Sequence, residues 1–209
     1  MDLSLIVLVD PRQVAQDTVP ELLSDLRRGG ATAVQLRGKT STTRELLAYG
    51  ETMRAVTKAL GMSLWVDDRL DVAWAIGADG LHVGQDDMPV EVVRRLVPGL
   101  RVGLSVGDPE ELAYALAVRP DYLGVGPVYA TRSKLDAGAP LGPDGFRALA
   151  APAQAAGIPV VAIGGIEAAT AAAVWAAGAD GIAVIGAVMG QADKEAACRS
   201  LLAARGASR

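Results

Sequence analysis

Short runs of β-branched and aliphatic residues alternate along the chain with longer segments in which Ala and Leu recur at helical spacing. The runs predict strands at 5–9, 33–36, 63–66, 80–83, 101–104, 122–125, 159–163 and 181–185. Between them the spacing predicts helices at 21–28, 43–60, 90–96, 109–118, 144–155 and 167–176, a short one at 70–76, and a terminal one at 187–204. The strands are nearly continuous apolar runs without two-residue alternation, as expected of parallel strands covered on both faces. Eight β-then-α units in strict order predict an α/β fold, a (β/α)8 TIM barrel forming one domain over 1–209, with an open doubly wound sheet as the second choice.

Composition narrows the partners. A chain of 209 residues, 51% hydrophobic, is long enough for one barrel with a full core. Its 20 basic and 24 acidic side chains give a net charge of -4, and no basic tract marks a nucleic-acid or membrane surface. Any anionic ligand must therefore be met by a local cluster. Cys198 stands alone, so neither an internal disulfide nor a cysteine-cluster metal site is available, and a reducing compartment is expected. The opening segment carries Asp2 where a signal peptide needs positive charge, and no apolar run is long enough to span a bilayer, which leads to a cytoplasmic expectation. A homo-oligomer is left open, because packing on the strands already explains the apolar helix faces.

In a barrel the reactive face is the rim after the strands, and the unusual polar residues fall there. The second to sixth strands run in turn into stretches carrying Gln35, Arg37 and Lys39; Asp67, Asp68 and Arg69; Gln85, Asp86 and Asp87; Ser105; then Thr131, Arg132, Ser133 and Lys134. Gly164, Gly165 and Gly186 follow the last two strands. Arg37, Lys39 and Lys134 suit a multiply charged phosphate or diphosphate, and two of only four lysines lie in these loops. Asp68 and Asp87 are hard oxygen ligands of the kind that hold Mg2+ together with substrate phosphates. Helix capping by Asp67 or Asp68 before Leu70, and by Asp86 or Asp87 before Pro89, is the competing role. The glycines either let backbone N–H groups approach a phosphate or merely turn the loops.

Other conspicuous residues read as structural. His82 lies in an apolar strand without a second histidine and reads as a packed or hydrogen-bonded core residue, in preference to a ligand or base. Cys198, Trp65, Trp74 and Trp175 read as packing. Ser105 has no His or Lys partner at motif spacing, which argues against a nucleophilic serine. The segments 75–80 and 176–181 echo each other, through either half-barrel duplication or common loop chemistry.

Six ordered segments together resemble the thiamine-phosphate synthase family, in the barrel group shared with thiazole tautomerases. They are Gln35-Leu36-Arg37-Gly38-Lys39, Asp67-Asp68-Arg69, the stretch from His82 to Asp87, Gly103-Leu104-Ser105-Val106, the stretch from Gly126 to Lys134, and the stretch from Val161 to Ile166. The resemblance implies that Arg37, Lys39, Ser105 and Lys134 act on the diphosphate of a hydroxymethylpyrimidine substrate. It places Gln35 near the pyrimidine, position 67 on the diphosphate, and Mg2+ on Asp68 and Asp87. Thr131, Ser133, Gly165, Ile185 and Gly186 would hold a thiazole phosphate. The implied reaction releases pyrophosphate by a dissociative path and yields thiamine phosphate. Four positions depart from the family pattern: Asp67 for Asn, Gly107 for His or Thr, Ser133 for Thr, and Gly186 for Ser. A carboxylate at 67 calls for a cation, a second metal or Arg69 beside it. The alternatives are a tautomerase-like isomerase, which would need an acid/base residue in place of the diphosphate clamp, and a non-catalytic phosphoester-binding barrel.

Overall fold

The computed structural model describes residues 1–131 and 138–206. Among them, eight parallel strands close into a barrel: β1 (Leu5–Val9), β2 (Ala33–Leu36), β3 (Ser63–Asp67), β4 (Gly80–Val83), β5 (Arg101–Val106), β6 (Tyr122–Val125), β7 (Val160–Ile163) and β8 (Gly181–Val184). Each pairs with the next, and β1 pairs with β8, Val7 opposite Val184, so the open-sheet alternative is excluded. The helices are α1 (Val19–Arg28), α2 (Thr43–Leu60), α3 (Leu70–Ala75), α4 (Val90–Leu96), α5 (Pro109–Val118), α6 (Gly142–Ala155), α7 (Ala168–Ala176), α8 (Gly186–Met189) and α9 (Lys194–Ala203).

The missing alternation in the strands has a direct cause, because both faces are buried, each in its own cluster. On β1, Leu5, Val7 and Val9 join the shell under the helices, while Ile6 and Leu8 fill the barrel interior with Ala33, Trp65, Tyr122, Val161 and Ala183. Following the inward parity up the strands, the interior turns from apolar to polar: Ala33 to Gln35, Trp65 to Asp67, Gly80 to His82, Gly103 to Ser105. Glycines make room for the large rings. A Cβ on Gly80 would stand 2.2 Å from the Trp65 ring, and one on Gly103 2.2 Å from that of Tyr122.

Three expectations need correction. The predicted terminal helix over 187–204 is two helices, α8 and α9, because Asp193 starts a new one by accepting the Ala196 N–H at 2.8 Å. Strands β3 and β5 run further than predicted and take in Asp67 and Ser105, which therefore sit on strand backbone and not in loops. Trp65 and Trp175 are buried as expected, but Trp74 is 69% exposed and packs into no core. Cys198 is buried, and burial pushes its thiol up to about 12.

Candidate active site

The ends of β2 and β3 form an ionic cluster. Arg37 Nε and Lys39 Nζ both lie 3.5 Å from Asp67 Oδ2, and Lys39 also binds the Asp68 carboxylate directly. Burial opposes the Lys39 charge, but the Asp68 hydrogen bond and the two carboxylates outweigh it and raise the pKa above the ordinary lysine value. Burial raises the Asp67 carboxyl against the opposing charges of Lys39 and Arg37. The cation that Asp67 requires is thus found across the strands. Arg69 is engaged elsewhere, on Asp71 at 2.5 Å and Thr43 at 2.7 Å.

Asp68 adopts a left-handed backbone conformation, φ 60°, which Asp tolerates better than most residues. Its N–H donates to the His82 carbonyl at 2.8 Å. The Asp68 carboxyl lies within hydrogen-bond reach of Asp87; burial, then the Asp67 charge, push it up to about 6. Asp87 in turn accepts the Gly84 N–H at 2.8 Å. Neither aspartate pair caps a helix: α3 and α4 begin at Arg69 and Pro89 without a side-chain cap. The two carboxyls lie within reach of each other and are hard oxygen donors, so they fit Mg2+. Among the described residues no cluster of three or more His, Cys, Asp or Glu is arranged for a metal. A cation here would complete its shell with substrate phosphate and water.

His82 is a buried, hydrogen-bonded core histidine, as its apolar strand suggests, and Ser105 finds in it a partner that no motif spacing announces. The ring bridges Ser105 Oγ, 2.9 Å from Nε2, and Tyr122 OH, 2.7 Å from Nδ1. The Ser105 carbonyl accepts from Gln85 Nε2 at 2.7 Å. Burial, then the Asp67 charge, raise the Tyr122 pKa and keep the phenol neutral. Gln35 is buried below the cluster, with no hydrogen bond to its amide among the described residues.

The same end of the barrel carries Thr131 after β6, Gly165 after β7, and Ile185 and Gly186 after β8. Gly165 is required by its surroundings: at φ 62° a Cβ would lie 2.4 Å from the Ala130 carbonyl, so the loop after β6 rests on this glycine. Around Gly186 there is open space on the Cβ side. Ser133 and Lys134 lie outside the described residues. A cavity of about 330 Å3 adjoins Asp87, lined by Met88, Leu104 and Tyr114 among others. A larger one, about 560 Å3, opens at the other end beside Leu3, Pro159 and Asp180, away from the charged cluster. Its Asp180 is already used by the Val160 N–H and Gln154.

Fold and site together define a (β/α)8-barrel enzyme with its polar groups collected at the strand C-termini. Residues 5–188 match the family model described as thiamine monophosphate synthase. The chain is 50% identical over 175 residues to the thiamine-phosphate synthase of Chloroflexus aurantiacus, covering 84% of this chain and 80% of that one. It is 50% identical over 182 residues to that of Moorella thermoacetica, covering 87% and 85%. The solved thiamine phosphate pyrophosphorylase of Pyrococcus furiosus superposes with a TM-score of 0.87 at 41% identity, over 99% of this chain and 96% of that one. This chain belongs to the thiamine monophosphate synthase family.

Proposed function

We propose that this chain is a transferase that joins hydroxymethylpyrimidine diphosphate to thiazole phosphate, releasing pyrophosphate and giving thiamine phosphate. Family membership supports the reaction, and the observation that carries the site assignment is the convergence of Arg37, Lys39, Asp67, Asp68 and Asp87 on one mouth of the barrel. Arg37 and Lys39 grip the diphosphate, whose oxygens compete with Asp67 and Asp68 for the same cations. Ser105 donates its hydroxyl to the diphosphate, and the buried Gln35 amide meets the polar edge of the pyrimidine. Lys134 adds charge to the leaving group. Thr131, Ser133 and the backbone of Gly165, Ile185 and Gly186 hold the thiazole phosphate.

Asp68 and Asp87 would hold Mg2+, which when bound neutralises charge on the departing pyrophosphate. The methylene C–O bond breaks and its electrons leave with pyrophosphate, while the aminopyrimidine ring delocalises the resulting cation. The thiazole nitrogen lone pair then forms the new C–N bond. No proton moves at the reacting carbon, so a nucleophilic serine or a strong base is not needed, and fixed cationic donors do the catalytic work. The test is pyrophosphate release from the two substrates in a coupled assay. Lys39→Ala retaining full release would overturn the assignment.

A further inference from the structure

Below the charged mouth, a hydrogen-bonded chain runs across three strands of the barrel interior. His82 on β4, Gly103 on β5 and Tyr122 on β6 occupy one row of the register, with Ser105 and Gly124 paired one step nearer the mouth. Because the middle residue is glycine, the two rings meet over β5: a Cβ at 103 would lie 2.2 Å from Tyr122 and 2.8 Å from His82 Nδ1. Gly124 clears the other side, where a Cβ would lie 2.9 Å from His82 Cε1. Two glycines thus make space for one imidazole whose nitrogens face Tyr122 OH and Ser105 Oγ at 2.7 and 2.9 Å.

Proton placement follows from counting donors. The Tyr122 phenol is buried, and among the described residues its one acceptor is His82 Nδ1. Were Nδ1 protonated, that ring N–H would face the phenol oxygen and the buried phenolic proton would have no acceptor among the described residues. Tyr122 therefore donates to Nδ1, the ring carries its proton on Nε2, and Nε2–H donates to Ser105 Oγ. A serine hydroxyl has a single proton. With its oxygen already accepting from His82, that proton turns toward the mouth and the ionic cluster. The opposite tautomer would draw it inward, onto the Nε2 lone pair. Gln85 holds the Ser105 carbonyl at 2.7 Å, so only the hydroxyl rotor is left to be set.

We propose that His82 is a positioning residue, locked by Tyr122 as the Nε2–H tautomer, that fixes the Ser105 hydroxyl as an outward donor to the diphosphate. A donor aligned before the anion arrives costs no reorganisation when charge develops on the leaving group. The proposal rests on the reading of Ser105 as a diphosphate contact, and the two can be separated experimentally.

His82 is the one histidine in the chain. A long-range 1H–15N correlation spectrum of the 15N-histidine-labelled protein at neutral pH therefore reads its tautomer without assignment. The expected pattern is a protonated Nε2 and a bare Nδ1, lost or mixed in Tyr122→Phe. A protonated Nδ1, or a doubly protonated ring, would overturn the proposal. Binding of inorganic pyrophosphate with Mg2+, followed by calorimetry, tests the outward donor. Tyr122→Phe should weaken it about three- to tenfold in the otherwise native protein, the size of one hydrogen bond. In a Ser105→Ala background it should change less than about twofold, because coupling is confined to groups acting through each other. His82→Gln, which keeps an N–H donor, should bind more tightly than His82→Leu. Equal losses in both backgrounds, or equal binding by Gln and Leu, would mean a merely structural histidine. If no variant binds pyrophosphate, the reading of the site fails, while the spectrum still decides the tautomer.

Discussion

Asp67 shares Arg37 and Lys39 with any incoming diphosphate, each 3.5 Å from its Oδ2. Replacing it by Asn removes a competing charge and keeps the shape, so Asp67→Asn should lower the Michaelis constant for the pyrimidine diphosphate about two- to tenfold, within the range of one charge-assisted hydrogen bond. Steady-state kinetics with thiazole phosphate saturating check this, and a raised constant would contradict it. At Gly186 a Cβ meets nothing within 4 Å, so Gly186→Ser adds a hydroxyl donor without strain. Its expected effect is a Michaelis constant for thiazole phosphate lower by about two- to tenfold, again one hydrogen bond. The acids and cations at the mouth were legible in the sequence because lysine is scarce and the charged residues follow strands. The partner choices were not. Asp67 pairs across the sheet in preference to its neighbour Arg69, and His82 finds Ser105 and Tyr122 at separations of 23 and 40 residues, which no local spacing rule reaches.

Among the elements, the apolar periodicity located every strand, and its errors lie at the ends. Ser105 belongs to β5 because strand pairing with β6 continues to Val106 opposite Val125, a tertiary constraint that local composition does not carry. The break between α8 and α9 was hidden by unbroken Ala content, although Gly190 and Asp193 mark it. Asp193 then has a measurable duty as the cap of α9. Asp193→Ala should cost about 1 kcal/mol of stability, read as a lower urea midpoint at unchanged slope, with pyrophosphate release unaffected. Unchanged stability would show that α9 is held by its packed face alone. The exposure of Trp74 on the short α3 was equally unreadable, since six residues give too few turns to define a buried stripe.

At the scale of the molecule, the order of eight β-then-α units was enough to anticipate closure, and the pairing of β1 with β8 completes it. Parallel pairing of β2, β3 and β4 is what brings residues as distant in sequence as Lys39 and Asp87 to one mouth, each next to Asp68. The larger cavity opens at the opposite end, where backbone-bound Asp180 serves structure. A metal and a diphosphate held together at the mouth should stabilise the whole fold by mass action. With Mg2+ and pyrophosphate each well above saturation the melting temperature should rise, by about 2.7 kcal/mol of stability at a hundredfold excess over the dissociation constant, and Asp87→Asn should abolish the rise. The central claim is most directly tested by Mg2+-dependent pyrophosphate release from the two substrates, comparing the native protein with Lys39→Ala and Asp87→Asn. The account predicts release that stops on chelation and falls on the order of a hundredfold or more in each variant while the melting curves stay cooperative. Release that persists without divalent cation, or at native rates in both variants, would contradict it.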